Sequence, residues 1–174
     1  FMIKLHLLGL KLDYPQSDEL DLFNVEQLIE QMASAEQSFS DGIKTQRLRY
    51  GFYAFLVRYA LKSNDIEASK RWLAKAKHIS FQLLGSDADE AEYKLSAAKV
   101  ELLAASIALA ENPFSDVTVA CMAAKAYLSD IVEVDKDPKY VVAYVDALRC
   151  LEQLDDDKEI SDLIVNERIV ETMF

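Results

Sequence analysis

Apolar residues along this 174-residue chain recur at steps of three and four, the spacing that puts one stripe of side chains on one side of an α-helix. In one segment Leu48, Phe52, Phe55, Leu56 and Tyr59 share a face. The next places Ala68, Trp72, Ala76, Ile79 and Leu83 together. A third repeats Ala91, Leu95, Ala98, Leu102, Ala105 and Leu109 at alternating steps of four and three. Val117, Cys121, Ala124, Leu128 and Ile131 form the fourth stripe, and Val141, Tyr144, Leu148 and Leu151 the fifth. Alternation with period two, the mark of a strand, is confined to Ile3-Leu5-Leu7. The pattern predicts an all-α fold.

Breaks between the stripes set the topology. Turn and cap signals fall at Tyr14-Pro15-Gln16-Ser17, Ser40-Asp41-Gly42, Ser63-Asn64-Asp65, Gly85-Ser86-Asp87, Asn112-Pro113, Asp135-Lys136-Asp137-Pro138 and Asp155-Asp156-Asp157. Asp, Asn and Ser at these places can accept bonds from the unpaired N–H groups that open a helix. Gly85 suits a helix end, and Pro138 a first turn. Helical segments are therefore expected over 43–62 and 66–84, 88–111 and 115–134, then 139–153 and 157–172. Connections of about three residues force neighbouring helices antiparallel, giving three successive hairpins at 43–84, 88–134 and 139–172. Residues 1–42 supply an N-terminal segment and a capping helix, so about seven helices make up a single domain spanning 1–174. Each hairpin is amphipathic and can bury its face on the next, which is the logic of a right-handed stacked α-solenoid. A lone seven-helix bundle is the alternative.

Composition supports helix and removes other classes. Only four Gly and three Pro occur, about a third of ordinary usage, and a 51% hydrophobic content is far from that of disordered chains. No apolar run reaches the roughly 18 residues that span a bilayer. The longest, Leu102 to Ala110, is closed by Glu101 and Glu111. The chain begins Phe1-Met2, which fits either a cloning remnant or a piece of a longer protein.

The order of signals near the tail resembles the tetratricopeptide repeat family. In that family small and bulky apolar residues recur along a second helix that ends at an acidic-proline turn. Here Ala124, Leu128 and Ile131 are followed by Val132-Glu133-Val134-Asp135 and then Asp137-Pro138. Tyr144 with Ala147-Leu148 is similar to the start of the family's next helix. Asn64-Asp65-Ile66-Glu67-Ala68, with Trp72 and Ala76, resembles its turn into a second helix. The usual Gly is absent beside Ala147, and hairpin starts exceed the family's period of about 34 residues. The resemblance implies a concave binding surface made by the first helix of each hairpin. Carried over, it places Arg58 and Arg149 at comparable inward positions, with Ala54 and Val145 one turn earlier. An Arg there can fork onto a carboxylate with two parallel bonds. Both guanidinium groups could instead snorkel over apolar neighbours.

Charge is unevenly distributed over a chain of net −11. Residues 44–78 hold nine Lys and Arg (Lys44, Arg47, Arg49, Arg58, Lys62, Lys70, Arg71, Lys75 and Lys77) against Asp65 and Glu67, whereas both flanks are acidic. Solvated helix faces with internal balance explain such a pattern, and so does docking of an acidic peptide. The pI of 4.6 argues against nucleic acid as a partner. Within Arg49–Tyr59, the rings of Tyr50, Phe52, Tyr53, Phe55 and Tyr59 surround more than one face, so the helix is expected to be buried on two sides. Tyr53 is the ring chosen for exposure to a groove.

No chemistry-bearing constellation appears. His6 and His78 stand far from Cys or carboxylate at ligand spacing, and no phosphate loop, zinc pattern or nucleophile elbow is present. The carboxylates of Asp87, Asp89, Glu90 and Glu92, and those of Asp155, Asp156, Asp157 and Glu159, fall at helix starts. There they favour the positive end of the dipole. No enzyme activity, metal or cofactor is expected. Cys121 and Cys150 come level in an antiparallel hairpin; buried thiols are the simpler expectation, and a disulfide the alternative, implying an oxidising compartment. The reading is a protein- or peptide-binding adaptor, cytoplasmic, with a periplasmic fragment as the other setting and homo-oligomers left open. A sensory or regulatory domain of a larger signalling protein, and an acidic secretion chaperone of tetratricopeptide-like build, are the alternatives.

Overall fold

The computed structural model describes Gln27, Ile29, Glu30 and residues 42–152. All regular structure among these residues is α-helical, with no strand. The five helices are α1 (Ile43–Lys62), α2 (Ile66–Ser86), α3 (Ala91–Glu111), α4 (Thr118–Val134) and α5 (Pro138–Glu152). The helix expected over 157–172, and nearly all of the N-terminal segment and capping helix, lie outside the described residues. Two compact units emerge, one through Ile79 and one from Ser80, with the division inside α2.

In the first unit, the α1–α2 turn follows from three consecutive polar residues. Asn64 adopts φ 57°, a left-handed conformation that Asn tolerates better than most residues. With Asn64 turned over, its N–H reaches the Leu61 carbonyl, and the Asp65 N–H reaches that of Ala60. These two bonds close α1 as a Schellman motif. Asp65 then caps α2, its Oδ1 accepting the Ala68 N–H at 2.9 Å. Phe52, Tyr53, Phe55, Leu56, Val57 and Ala60 of α1 are all buried, more than one stripe can account for, as the ring pattern predicts. On α2, Ala68, Ala76 and Ile79 are buried, while Trp72 is half-buried and stacks on Tyr53 with ring centroids 5.8 Å apart.

Helices α3, α4 and α5 pack mutually in the second unit. The stripe expected for α4 is the one it buries: Val117, Cys121, Ala124, Leu128 and Ile131. Leu95 and Ala98 of α3 join Ala124, Leu128 and Ile131 of α4 and Tyr140, Ala143 and Ala147 of α5 in one cluster. Ala105, Val117 and Cys121 form a second, with Cys150 and Leu151 against it. Cys121 and Cys150 are joined in a disulfide with a Cα–Cα distance of 5.7 Å, in place of the buried thiols that were the simpler expectation. Running antiparallel from that pair, Ala124 falls level with Ala147 and Leu128 with Ala143.

Three expectations are corrected. The starts of α3 and α4 come three residues later than the expected segments 88–111 and 115–134, because local side-chain bonds hold the turns. Asp87 Oδ1 accepts the Asp89 N–H, Asn112 Oδ1 that of Phe114, and Asp116 Oδ1 that of Thr118. The Thr118 hydroxyl and N–H together hold the Asp116 carboxyl below its ordinary range. On α5 the buried face is Tyr140, Ala143, Val145, Ala147 and Leu148, while Val141, Tyr144 and Leu151 are half-buried. Ala143 and Ala147 join Tyr140 in the cluster shared with α3 and α4. Finally, Gly85 lies within α2 rather than beyond it, with no positive φ.

Because a Cβ at Gly85 would meet nothing within 4 Å, Gly85→Ala is expected to stabilise the chain by about 0.5 kcal/mol. A denaturant midpoint unchanged or lowered would contradict that assignment. For the cysteine pair, alkylation of the unreduced, denatured chain should add no mass, and reduction first should add two labels. Label on both residues without reduction would refute the link.

Candidate functional site

Two helices that are not consecutive, α3 and α5, come side by side in the second unit and leave an open groove. Glu92 near the start of α3 meets Lys139 and Tyr140 near the start of α5. Two turns further along, Lys99 acts electrostatically on Asp146. Both pairs step forward by seven residues together, so the two helices run parallel in a fixed register. The groove has a volume of about 290 Å³ and is lined by Lys99, Leu102, Pro138, Lys139, Val142, Ala143 and Asp146. Leu102, Pro138, Val142 and Ala143 give it an apolar floor. Val142 is 56% exposed, high for an aliphatic side chain beside a packed helix pair.

The acidic-proline turn places one end of this groove. Asp135 Oδ1 accepts the Asp137 N–H at 2.9 Å, and Asp137 Oδ1 accepts the Lys139 N–H at 3.0 Å, so each carboxylate fixes the next. Asp137 thereby caps α5, whose first residue, Pro138, has no N–H to satisfy. The backbone bond from Lys139 is the main reason the Asp137 carboxyl lies below its ordinary range. Lys139 is then clamped: its ammonium pairs with Glu92, lies 3.4 Å from Asp137 and sits 4.7 Å from the centre of the Tyr140 ring. Glu92 is the largest cause of the upward shift of the Lys139 ammonium. The Tyr140 hydroxyl donates to the same Glu92 oxygen at 3.2 Å, and burial pushes its phenol above the ordinary value. At the other end, burial raises the Asp146 carboxyl, against the opposing pull of Arg149 and Lys99.

The residues carried over from the family resemblance fare unevenly. Arg149 is exposed and lies 3.8 Å from Asp146, so it stands beside the groove through that carboxylate. Val145 is 3% exposed and does not line it; Val142, Ala143 and Asp146 take that side of α5. Tyr53, chosen for exposure, is 5% exposed, its ring covered by the stack with Trp72. Ala54 is half-buried in the same helix. Arg58 is half-buried too, and burial lowers its guanidinium from the ordinary value. It belongs to the first unit and Arg149 to the second.

Sequence reasoning missed Lys99, Lys139, Val142 and Asp146 because the α3–α5 register is a non-local fact. One signal was legible. Val142 is an apolar residue off the expected α5 stripe, which is compatible with a groove on that side of the helix.

Among the described residues no cluster of three or more His, Cys, Asp or Glu could hold a metal, and no helix is long and apolar enough to cross a membrane.

A carboxyl held low in the folded state contributes stability above the unfolded carboxylate pKa, about 3.9. That contribution is lost as pH falls through the lower folded value. Asp137→Asn keeps a capping oxygen but removes the charge. It is therefore expected to lower Tm by a few degrees at pH 7, with the difference from wild type closing as pH falls below about 4. A gap of the same size at low and neutral pH in thermal melts would assign the loss to cap geometry instead.

Comparison with protein-family models, curated proteins and solved structures gives no match for this chain, so its own geometry is the guide to what it does.

Proposed function

We propose that this chain is a non-enzymatic helical-repeat module, tetratricopeptide-like in build, that binds an extended protein segment in the groove between α3 and α5. The observation that carries the proposal is the parallel, in-register pairing of α3 and α5 beside an open apolar floor. In a stacked solenoid, the first helix of one hairpin lies along the first helix of the hairpin before it and also packs on that hairpin's second helix. Packing of α5 on both α3 and α4 supports this arrangement.

The groove suits a chain segment more than a compact ligand. Its volume lies at the lower limit of small-molecule sites, enough for one or two apolar side chains. Burial of such an anchor on Leu102, Val142 and Ala143 contributes about 25 cal/mol per Å² of apolar surface. Lys99, Lys139 and Asp146 at its edges give charge of both signs along the groove, which orients a bound segment more than it tightens it. The cap and ion pairs that engage Asp137 and Lys139 support a positioning role for them over a chemical one. The joined Cys121 and Cys150 favour the oxidising setting over the reducing one.

The test uses the exposure of Val142, which lets Val142→Glu alter the groove without disturbing a packed residue. Peptides selected against the immobilised full chain from a random library should share an apolar anchor. Their affinity should fall at least about tenfold for Val142→Glu, a loss of about 1.4 kcal/mol, at unchanged Tm. Equal binding by both proteins in fluorescence anisotropy would overturn the groove.

A further inference from the structure

Residues 44–78 carry nine Lys and Arg against two carboxylates, the opposite balance from the chain as a whole. All nine of the basic residues between 44 and 78 belong to α1 or α2, and the only carboxylate within α2, Glu67, is engaged by Lys70 at 3.5 Å. On the outer face of α2, Arg71, Lys75 and His78 follow one another at steps of four and three, all exposed, with Ala74 exposed between them. At a rise of about 1.5 Å per residue this ridge is about 10 Å long.

Behind the ridge lies an aromatic platform. The half-buried Trp72 ring stacks on buried Tyr53 at an interplanar angle of 17°. The Lys75 ammonium sits 4.9 Å from the centre of the Trp72 ring and 5.2 Å from that of Tyr53. A Lys head held over two rings has already lost much of its rotamer freedom, so pairing it with an anion costs less than pairing a flexible surface Lys. Ala74 leaves room for a partner's backbone to approach.

We propose that the ridge of Arg71, Lys75 and His78, backed by the Trp72–Tyr53 stack, docks a short acidic segment of a partner protein. Carboxylates spaced one turn apart on that segment meet Arg71 and Lys75. Arg71 offers the planar fork that binds a carboxylate through two bonds. An apolar neighbour of those carboxylates lies against the partly exposed Trp72 edge. The short length favours a peptide over a nucleic acid. Charges separated by more than about 8 Å are screened at physiological salt, so a short acidic segment responds mainly to the local positive field. A phosphate polymer extends beyond the ridge with a charge about every 1.7 Å, along a chain whose net charge is −11.

Trp72 is the only tryptophan of the chain, which makes its emission a reporter of this surface. The full chain is titrated with a synthetic, end-blocked octaglutamate peptide in low salt. A saturable change in Trp72 emission is expected, weakened about tenfold or more by Arg71→Glu/His78→Glu, which leaves the Lys75–Trp72 contact in place. Arg71→Ala provides a milder variant should the double charge reversal perturb folding, and Val142→Glu should bind the peptide as wild type does. That last control separates this surface from the α3–α5 groove. No emission change, or equal affinities for wild type and Arg71→Ala, would overturn the proposal. So would tighter binding of a single-stranded oligonucleotide of equal charge, or a signal that tracks protein concentration and dimer formation in sedimentation without peptide.

Discussion

Small side chains are buried where α4 meets its two neighbours, and the packing of the second unit depends on that shared contact. Ala98 of α3, Ala124 of α4 and Ala147 of α5 are fully inaccessible to solvent, as are Cys121 and Leu128 beside them. Helix axes approach within about 8 to 10 Å, at the short end where the contact residues are small. Close approach on both flanks of α4 is what brings α3 and α5 near enough to touch each other and to share a groove. Bulkier residues at these alanines would spread the three helices and would have to strain neighbouring rotamers to remain packed. The Cys121–Cys150 link joins α4 to the last turns of α5, far from the acidic-proline turn that joins them at the other end. The link restricts the unfolded chain by closing a loop across 29 residues of sequence.

Electrostatics in the second unit serve the same geometry. The residues of the acidic-proline turn first satisfy their own backbone, as Asp135 and Asp137 accept N–H groups two residues ahead. The same start of α5 places Lys139 against Glu92 and the Tyr140 hydroxyl against the same carboxylate. A surface ion pair of this kind adds little to stability by itself. It marks register: Glu92 meets Lys139 where α3 and α5 run in step. In the first unit nine Lys and Arg sit on two helices, and the Lys75 ammonium rests on the stacked rings of Trp72 and Tyr53.

Val145 and Tyr53 illustrate where sequence patterns stop being informative. Val145 stands where the tetratricopeptide-like pattern turns inward, Tyr53 is the ring expected at a groove from the aromatic run, and both are buried. A helical wheel fixes angles between side chains on one helix, but the rotation of that helix about its axis is decided by what packs on it. On α5, Val145 lies about 110° around the helix from the face carried by Lys139, Val142, Ala143 and Asp146, and it is that face that lines the groove. On α1, aromatic rings offer large apolar faces, and stacking on Trp72 covers Tyr53 despite its polar tip.

Local chemistry controls the part of this fold that is legible in the sequence. The all-helical character follows from the periodicity and the scarcity of Gly and Pro. The stop at Asn64, the caps at Asp65 and Asp137 and the start at Pro138 follow from bonds that reach only two to five residues along the chain. The single buried stripe of α4 was legible because this helix is apolar on one narrow face. The rest required tertiary structure. The face that α5 buries, the joining of Cys121 to Cys150, the pairing of Glu92 with Lys139 and the covering of Tyr53 by Trp72 all involve residues 19 or more apart in sequence. Contacts of that kind depend on the volumes and rotations of whole helices packed together, and no window of one helical repeat contains that information.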